Sequence, residues 1–420
     1  MNKGNQILAP VVFAFAAVVA WTCTTCGGES TSNGPESDAG PEGDVESSDA
    51  SDDGPVGDGG ETDWMPMEPL GENGEFFPLV PSGPAIDCGP GCEAVIPKAV
   101  NHPDYFSYSF DSRYVSETDV REVFVLDIAK GEVRIVARAA DDDDGVIQPH
   151  VHGRYVSYHR VRYPSGRVEV VDIVEKRVRV FDAYEDVSYA ARGTAVNNHY
   201  AFWIPGNLRA ADLTTGVKRL LTTEIVGCDR HCTTETSFLC STTTDVVNVD
   251  ANTGEVSVIA PTAALQTDGI CSPNKERFVW IDYRDPPGPS STYDGYRAGG
   301  EVYVFDLQSN ELTRVTHDSP TAPTAKSYPA IENDTVVWLE ARSSEPQPDT
   351  AQEIYLWKPA LVWYDLQTKK RCKTDDINIT RPAVIDGKVY GMYVHEGDGN
   401  VWLVRVDLNS SNIPWSCTQS

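Results

Sequence analysis

From about residue 100 onward, apolar and polar positions alternate in short runs broken by turn-forming residues, with no 3.6-residue period. Period-two alternation is the signature of half-buried strands. One phrase recurs, an alternating strand that closes on aspartate: Val123-Phe-Val-Leu-Asp127, Glu169-Val-Val-Asp172, Arg209-Ala-Ala-Asp212, Val247-Asn-Val-Asp250, Val302-Tyr-Val-Phe-Asp306, Val362-Trp-Tyr-Asp365 and Leu403-Val-Arg-Val-Asp407. The aspartates are 45, 40, 38, 56, 59 and 42 residues apart. A polar turn such as Thr214-Thr-Gly216 follows each, then another strand. A hairpin precedes each; Pro382-Ala-Val-Ile-Asp386-Gly387-Lys-Val-Tyr is the clearest, because Asp-Gly between alternating runs favours a two-residue turn with φ > 0. The unit near Thr233 to Thr244 fits the pattern least. Seven copies of a four-strand unit predict an all-β chain forming a single β-propeller of about seven four-stranded blades, with six or eight as the alternatives. A sandwich would not require seven copies of one phrase.

The N-terminus departs from this pattern. Ile7 to Trp21 is an almost unbroken apolar run behind Lys3, short for a bilayer span and suited to the core of an export signal. The Thr22-Cys23-Thr-Thr-Cys26-Gly-Gly that follows resembles a bacterial lipoprotein signal, in which cleavage precedes a cysteine that is then acylated. Cys26 is the preferred lipidation site and Cys23 the alternative, on parity. The chain has ten cysteines. Cleavage before Cys26 leaves Cys88, Cys92, Cys228, Cys232, Cys240, Cys271, Cys372 and Cys417, an even set for an oxidising compartment. Short spacing favours Cys88–Cys92 and Cys228–Cys232, which leaves Cys240–Cys271 and Cys372–Cys417 by elimination. The organisation is therefore 1–25 signal peptide, 26–75 tether, 76–104 lead-in and 105–420 propeller. Gly27 after the acylated cysteine favours the outer membrane by the same resemblance. Without lipid, the chain would be secreted.

Net charge is −29, and residues 29–75 hold fifteen Asp or Glu with no Lys or Arg. A stretch so polar and so charged cannot bury enough apolar surface to fold, and predicts a disordered acidic tether. The acidity also excludes nucleic acid as a partner.

Pro-Ala-Ile-x-x-x-x-Val-Val-Trp338 in the sixth unit and Glu301-Val-Tyr-Val-Phe-Asp-Leu followed by Thr313-Arg-Val-Thr316 in the fifth resemble the blade repeat of TolB-like β-propellers. Units five to seven carry the resemblance well, one to three in part. It covers about residues 100–417 and implies a fold more than an activity, since such propellers serve as periplasmic interaction modules, as accessory domains of peptidases and, in one branch, as lyases.

The seven aspartates stand before turns and read as acceptors for turn N–H groups. The second-strand aromatics Tyr158, Trp203, Trp280, Trp338 and Tyr393 read as packing between blades. Recognition is expected instead on the face where long connections emerge. The longest is Asp282 to Arg297, which carries Tyr283, Arg284, Tyr293, Tyr296 and Arg297, of the residue types that anchor interfaces. Glu340 to Gln352 and His159 to Gly166 add to that face. His150 and His152, at i and i+2 on one side of a strand, are weak metal candidates, set against the His and Gln ligands of the propeller lyases. Asp141 to Asp144 lacks the alternating spacing of a calcium loop. No nucleophile elbow or phosphate loop occurs, no catalytic residue is assigned and no cofactor is implied. The sequence favours a non-enzymatic cell-envelope lipoprotein that binds a protein or glycan through the long-loop face. The alternative is a metal-assisted polysaccharide lyase or hydrolase.

Overall fold

The computed structural model describes residues 63–67, 77–78 and 86–95 and, between 107 and 419, all but 112–113, 119–120, 142, 163–164, 185–192, 205–206, 224, 226–227, 229, 243–244, 263, 285–298, 319–323, 343–358 and 395–400. The signal, Cys23, Cys26 and most of the tether lie outside the described residues.

Seven antiparallel sheets form a propeller ring. Blade 1 runs Ser107–Phe110, Tyr114–Thr118, Glu122–Asp127, Glu132–Arg138; blade 2 Asp144–His152, Tyr155–Arg162, Ser165–Asp172, Arg177–Tyr184; blade 3 Thr194–Val196, Tyr200–Trp203, Leu208–Asp212, Lys218–Thr222. Blade 4 runs Arg230–Thr233, Ser237–Ser241, Val246–Asp250, Val256–Val258; blade 5 Gln266–Cys271, Arg277–Asp282, Glu301–Asp306, Leu312–Arg314; blade 6 Thr324–Glu332, Thr335–Arg342, Ala360–Asp365, Lys370–Thr374. Blade 7 takes Thr380–Ile385, Lys388–Val394 and Val401–Asp407 from the C-terminal end and its fourth strand, Cys92–Ala94, from the N-terminal side. The repeat phrase shows no such exchange, yet it closes the ring, and the strand that follows Asp407, Ser416–Gln419, pairs with blade 6 instead. The expected loop at His159–Gly166 is paired strand instead, with Arg162 opposite Ser165.

Buried apolar residues fill the seams between neighbouring blades. Phe110, Val115 and Phe124 of blade 1 pack against Ile385, Met392 and Leu403 of blade 7. Tyr158, Trp203, Trp280, Trp338 and Tyr393 are all buried in these seams. The first strands of consecutive blades are neighbours and line the axis.

Among the described residues three outer edges carry a fifth strand: Met65–Pro66 on blade 2, Phe77–Pro78 on blade 1 and Ser416–Gln419 on blade 6. Each covers a row of backbone groups that an edge would otherwise expose.

Four disulfides join the eight cysteines of the described residues: Cys88–Cys92, Cys228–Cys240, Cys232–Cys271 and Cys372–Cys417. The expected Cys228–Cys232 and Cys240–Cys271 pairs are corrected. Cys232 lies in an extended strand, where about 3.3 Å is gained per residue, so a cysteine four positions away is carried out of bridging range. The partners are spatial neighbours on the next strand or the next blade, at Cα separations of 5.7 and 5.8 Å. Cys88–Cys92 does close locally, because Gly89 and Gly91 take positive φ between its ends.

The seven aspartates do hold their turns. Asp212 Oδ1 accepts from the Thr214 and Thr215 amides at 2.8 and 2.7 Å. Asp250 and Asp306 repeat this with Asn252 and Thr253, and with Gln308 and Ser309. Asp127, Asp172, Asp365 and Asp407 make the same kind of contact. The amides of Thr253, Ser309 and Thr368 hold the carboxyls of Asp250, Asp306 and Asp365 below the ordinary aspartate value. A depressed folded-state pKa gives stability that is complete above the unfolded value and lost as pH falls through the folded one. Urea midpoints are therefore expected to hold steady near neutrality and to decline below about pH 4. Asp250→Asn keeps an acceptor but no charge, so it should flatten part of that decline. An acid limb unchanged by Asp250→Asn would show that Asp250 contributes nothing to it.

Candidate functional site

Side chains of a radial blade face its neighbours, and only the edge of the innermost strand meets the axis. Among the described residues four of the seven innermost strands break this rule at one equivalent place. Strand pairing skips between Ile147 and His150, Thr267 and Ile270, Ser327 and Ala330, and Thr380 and Ala383. Two residues there oppose one on the second strand, which is a β-bulge. The first residue of each bulge is left-handed: Gln148, Asp268, Tyr328 and Arg381 have φ of 52, 59, 49 and 49°. Each stands five residues before the turn into the second strand, as does Gly193 (φ 84°) in blade 3. Glycine suits this conformation. A bulky residue with positive φ is strained by about 1–3 kcal/mol.

The bulged backbone repeats while the residue on it does not, and three of these unlike residues are linked in order around blades 5, 6 and 7. The Asp268 carboxylate accepts from the Tyr328 amide at 3.2 Å. The Arg381 guanidinium lies 5.9 Å from the centre of the Tyr328 ring. All three, and Gln148, are half-buried between the start of the innermost strand and its midpoint. An anion, a ring face and a cation thus stand side by side on a rigid circle, a set suited to hydrogen bonding and stacking against a polar ligand.

The layer behind them is held stiffly. Tyr158, Trp280 and Trp338 lie opposite the bulges of blades 2, 5 and 6. Each donates to a buried carboxylate: Tyr158 Oη to Glu169 at 2.5 Å, Trp280 Nε1 to Asp282 at 3.1 Å and Trp338 Nε1 to Glu340 at 3.2 Å. Arg160, Arg284 and Arg371 bond the same carboxylates at 3.0, 2.6 and 2.5 Å. Burial works to raise the Asp282 carboxyl, but its bonds from Arg284, Gln266 and Trp280 leave it lowered and ionised.

Of the binding residues expected from the sequence, Tyr283 and Arg284 are described. Tyr283 is buried in the seam between blades 5 and 6, and Arg284 is taken up by Asp282 and the Tyr303 ring, 4.9 Å away. Tyr293, Tyr296 and Arg297 lie outside the described residues. His150 and His152 serve the backbone and the turns. His150 Nδ1 accepts from the Val196 amide of blade 3 at 3.2 Å, and burial holds it neutral by lowering its pKa. His152 Nε2 meets Glu235 at 3.2 Å, and Asn198 donates to the same carboxylate at 2.7 Å. These groups belong to the short-turn end of the axis. Lys275 stands there too, lowered to about 8 by burial against the pull of Asp111 and Glu235. Among the described residues no three His, Cys, Asp or Glu side chains converge as metal ligands would.

With this geometry in hand, the comparisons with known proteins concern the fold. No protein-family model and no curated protein sequence matches the chain. Among solved structures, it is similar to an oligogalacturonate lyase from Vibrio parahaemolyticus at 12% identity and a TM-score of 0.52, covering 84% of this chain and all of that one. It is also similar to TolB from Acinetobacter baumannii, at 11% identity and a TM-score of 0.39 over 62% of each chain. The fold is a seven-bladed β-propeller. Identities this low carry the architecture and no activity.

The sequence reading missed Asp268, Tyr328 and Arg381. A signal was present: Gln148-Pro, Tyr328-Pro and Arg381-Pro begin three hairpins at one repeat position with unlike residues before the proline. A repeat that holds the proline and varies its neighbour is a scaffold presenting a side chain.

Proposed function

We propose that this protein is a binding module of the cell envelope, exported, held at the outer membrane through lipid on Cys26, and recognising a protein or glycan through the long-connection side of its propeller. The linked Asp268, Tyr328 and Arg381 carry the reading. They are chemically unlike, strained on a repeated bulge and half-open toward the axis, where packing alone would favour glycine. The four disulfides support export, since such bonds persist in oxidising compartments.

The test is a binding panel of envelope proteins and envelope glycans, read with the full chain and with Tyr328→Ala/Arg381→Ala. Removing an aromatic and an arginine anchor is expected to weaken a true ligand by about tenfold or more while thermal unfolding stays cooperative. A ligand held equally by both proteins would overturn this site. Cleavage of a glycan in the panel would replace the binding reading with the lyase or hydrolase alternative.

A further inference from the structure

The outer rim carries a second recognition device, visible in how the chain caps its own blades. Met65–Pro66 pairs with blade 2 so that Met65 faces Val178 and Pro66 faces Arg177. Phe77–Pro78 pairs with blade 1 in the same register, Phe77 facing Val133 and Pro78 facing Glu132. Both caps read aromatic–apolar–proline, Trp64-Met65-Pro66 and Phe76-Phe77-Pro78. Proline suits the place because it offers no N–H to prolong the sheet outward.

The seat of the aromatic is built from three residues of the blade, Tyr155, Arg179 and Arg177, the last lying nearest, 4.6 Å from the Trp64 ring. Trp64 stacks 6.1 Å from Tyr155 and lies 5.4 Å from the Arg179 guanidinium, and its Nε1 donates to the Leu213 carbonyl of blade 3 at 3.2 Å. Tyr155 faces Asp172 on the third strand, and Arg179 faces Val170, two residues before that aspartate. Blade 1 has Tyr114 and Arg134 at these positions, facing Asp127 and Val125. Blade 3 has Tyr200 and Arg219, facing Asp212 and Ala210. There Arg219 lies 5.1 Å from the Tyr200 ring and donates to the Asn252 carbonyl of blade 4 at 2.8 Å, as Arg179 donates to Leu213 at 3.0 Å. Blades 4 and 5 lack the pair, having Ser237 with Ser257 and Arg277 with Thr313. Blade 6 holds its cap by the Cys372–Cys417 bond instead.

Blade 3 therefore has two of the three groups of the seat, with Val217 in the place of Arg177, and among the described residues its sheet has four strands. Its edge exposes two apolar residues, Val217 and Leu220, at 63% and 55%, on either side of Lys218 and Arg219. No aromatic residue occurs between Trp21 and Trp64 to supply a third cap from the segment ahead of the first two. We infer that the outer edge of blade 3 docks an extended segment of another protein that carries an aromatic–apolar–proline motif. The segment adds a strand against Lys218–Thr222, its apolar residue facing Lys218 and its aromatic ring taking the place of the Arg219 guanidinium on the Tyr200 ring. This is β-strand addition, with main-chain bonds giving affinity and the aromatic seat giving selectivity.

A fluorescent peptide of residues 62–68, Thr-Asp-Trp-Met-Pro-Met-Glu, titrated with the full chain and followed by anisotropy tests this. Saturable binding is expected, about tenfold or more weaker for the peptide with alanine in place of tryptophan. Lys218→Pro, which removes an amide facing the incoming strand, and Tyr200→Ala, which removes one wall of the seat, are each expected to weaken it comparably. Hydrogen exchange on the unaltered chain gives an independent reading, in which added peptide slows the Lys218 and Leu220 amides. The inference fails if the native chain does not bind, if binding survives Lys218→Pro, or if Val178→Pro alone abolishes it, since the peptide would then be exchanging into blade 2.

Discussion

Lys326→Ala is expected to cost about 3–5 kcal/mol of folding stability, because it removes the buried cation that pairs with Asp318 and leaves Glu301 only Arg314. The Lys326 side chain is fully buried at the seam of blades 5 and 6. Its Nζ donates to Asp318 at 2.6 Å and to the Gly300 carbonyl at 2.9 Å, and lies 3.4 Å from Glu301. Asp318 is held further by the Thr324 amide at 2.8 Å, and Glu301 by Arg314 at 3.2 Å. The network lies two residues ahead of Tyr328, so it fixes the strand that presents the ring. Burial works to raise the Asp318 carboxyl and Lys326 pulls it below its ordinary value, the Lys326 charge winning. That depressed value gives stability above the unfolded pKa that is lost in acid. The deficit of Lys326→Ala should accordingly be largest near neutrality and shrink below about pH 4, where Asp318 takes a proton. Paired urea titrations of the native and altered chains read both. A deficit constant with pH would mean that lost packing, and not the stranded charge, carries the effect.

Removing Cys232–Cys271 by a double alanine substitution is expected to cost about 4 kcal/mol, from a closed loop of 39 residues. Removing Cys88–Cys92, with a separation of 4, should cost about 2 kcal/mol. The first bond ties the innermost strand of blade 4 to that of blade 5, and Cys228–Cys240 braces blade 4 from the other side. The unit that fits the repeat least is thus the one held by two covalent bonds. Denaturant unfolding of the two double variants settles the order. If the short loop costs more than the long one, chain entropy does not govern these bonds.

What could be read in the chain followed from local repetition. Alternation, turn chemistry and the seven aspartates specify strands, hairpins and their number, because each depends on residues close in sequence. Seven such units admit few closed arrangements, and the ring follows. The buried aromatics of the second strands were equally legible, as one apolar position recurring in most units. The His150–His152 pair shows where this reasoning stops: its side chains do share one side of a strand, but what they meet is set by blades 3 and 4.

Tertiary structure decided everything that joins residues across blades. Cys240 bonds to Cys228 and not to Cys271 because strand and blade neighbours, not sequence neighbours, come within bridging range. Blade 7 is completed by Cys92–Ala94, a pairing over some three hundred residues that no local pattern encodes. Asp268, Tyr328 and Arg381 come from three blades and meet because each innermost strand bulges at the same height. The Tyr200 ring of blade 3, covered by Arg219, reads as an aromatic seat only against its counterpart on blade 2, where Tyr155 carries Trp64. The sequence by itself determined the repeating unit, because strand and turn preferences are short-range. The fold determined the sites, because a ring brings one repeat position from successive blades to a common axis and exposes another along a common rim.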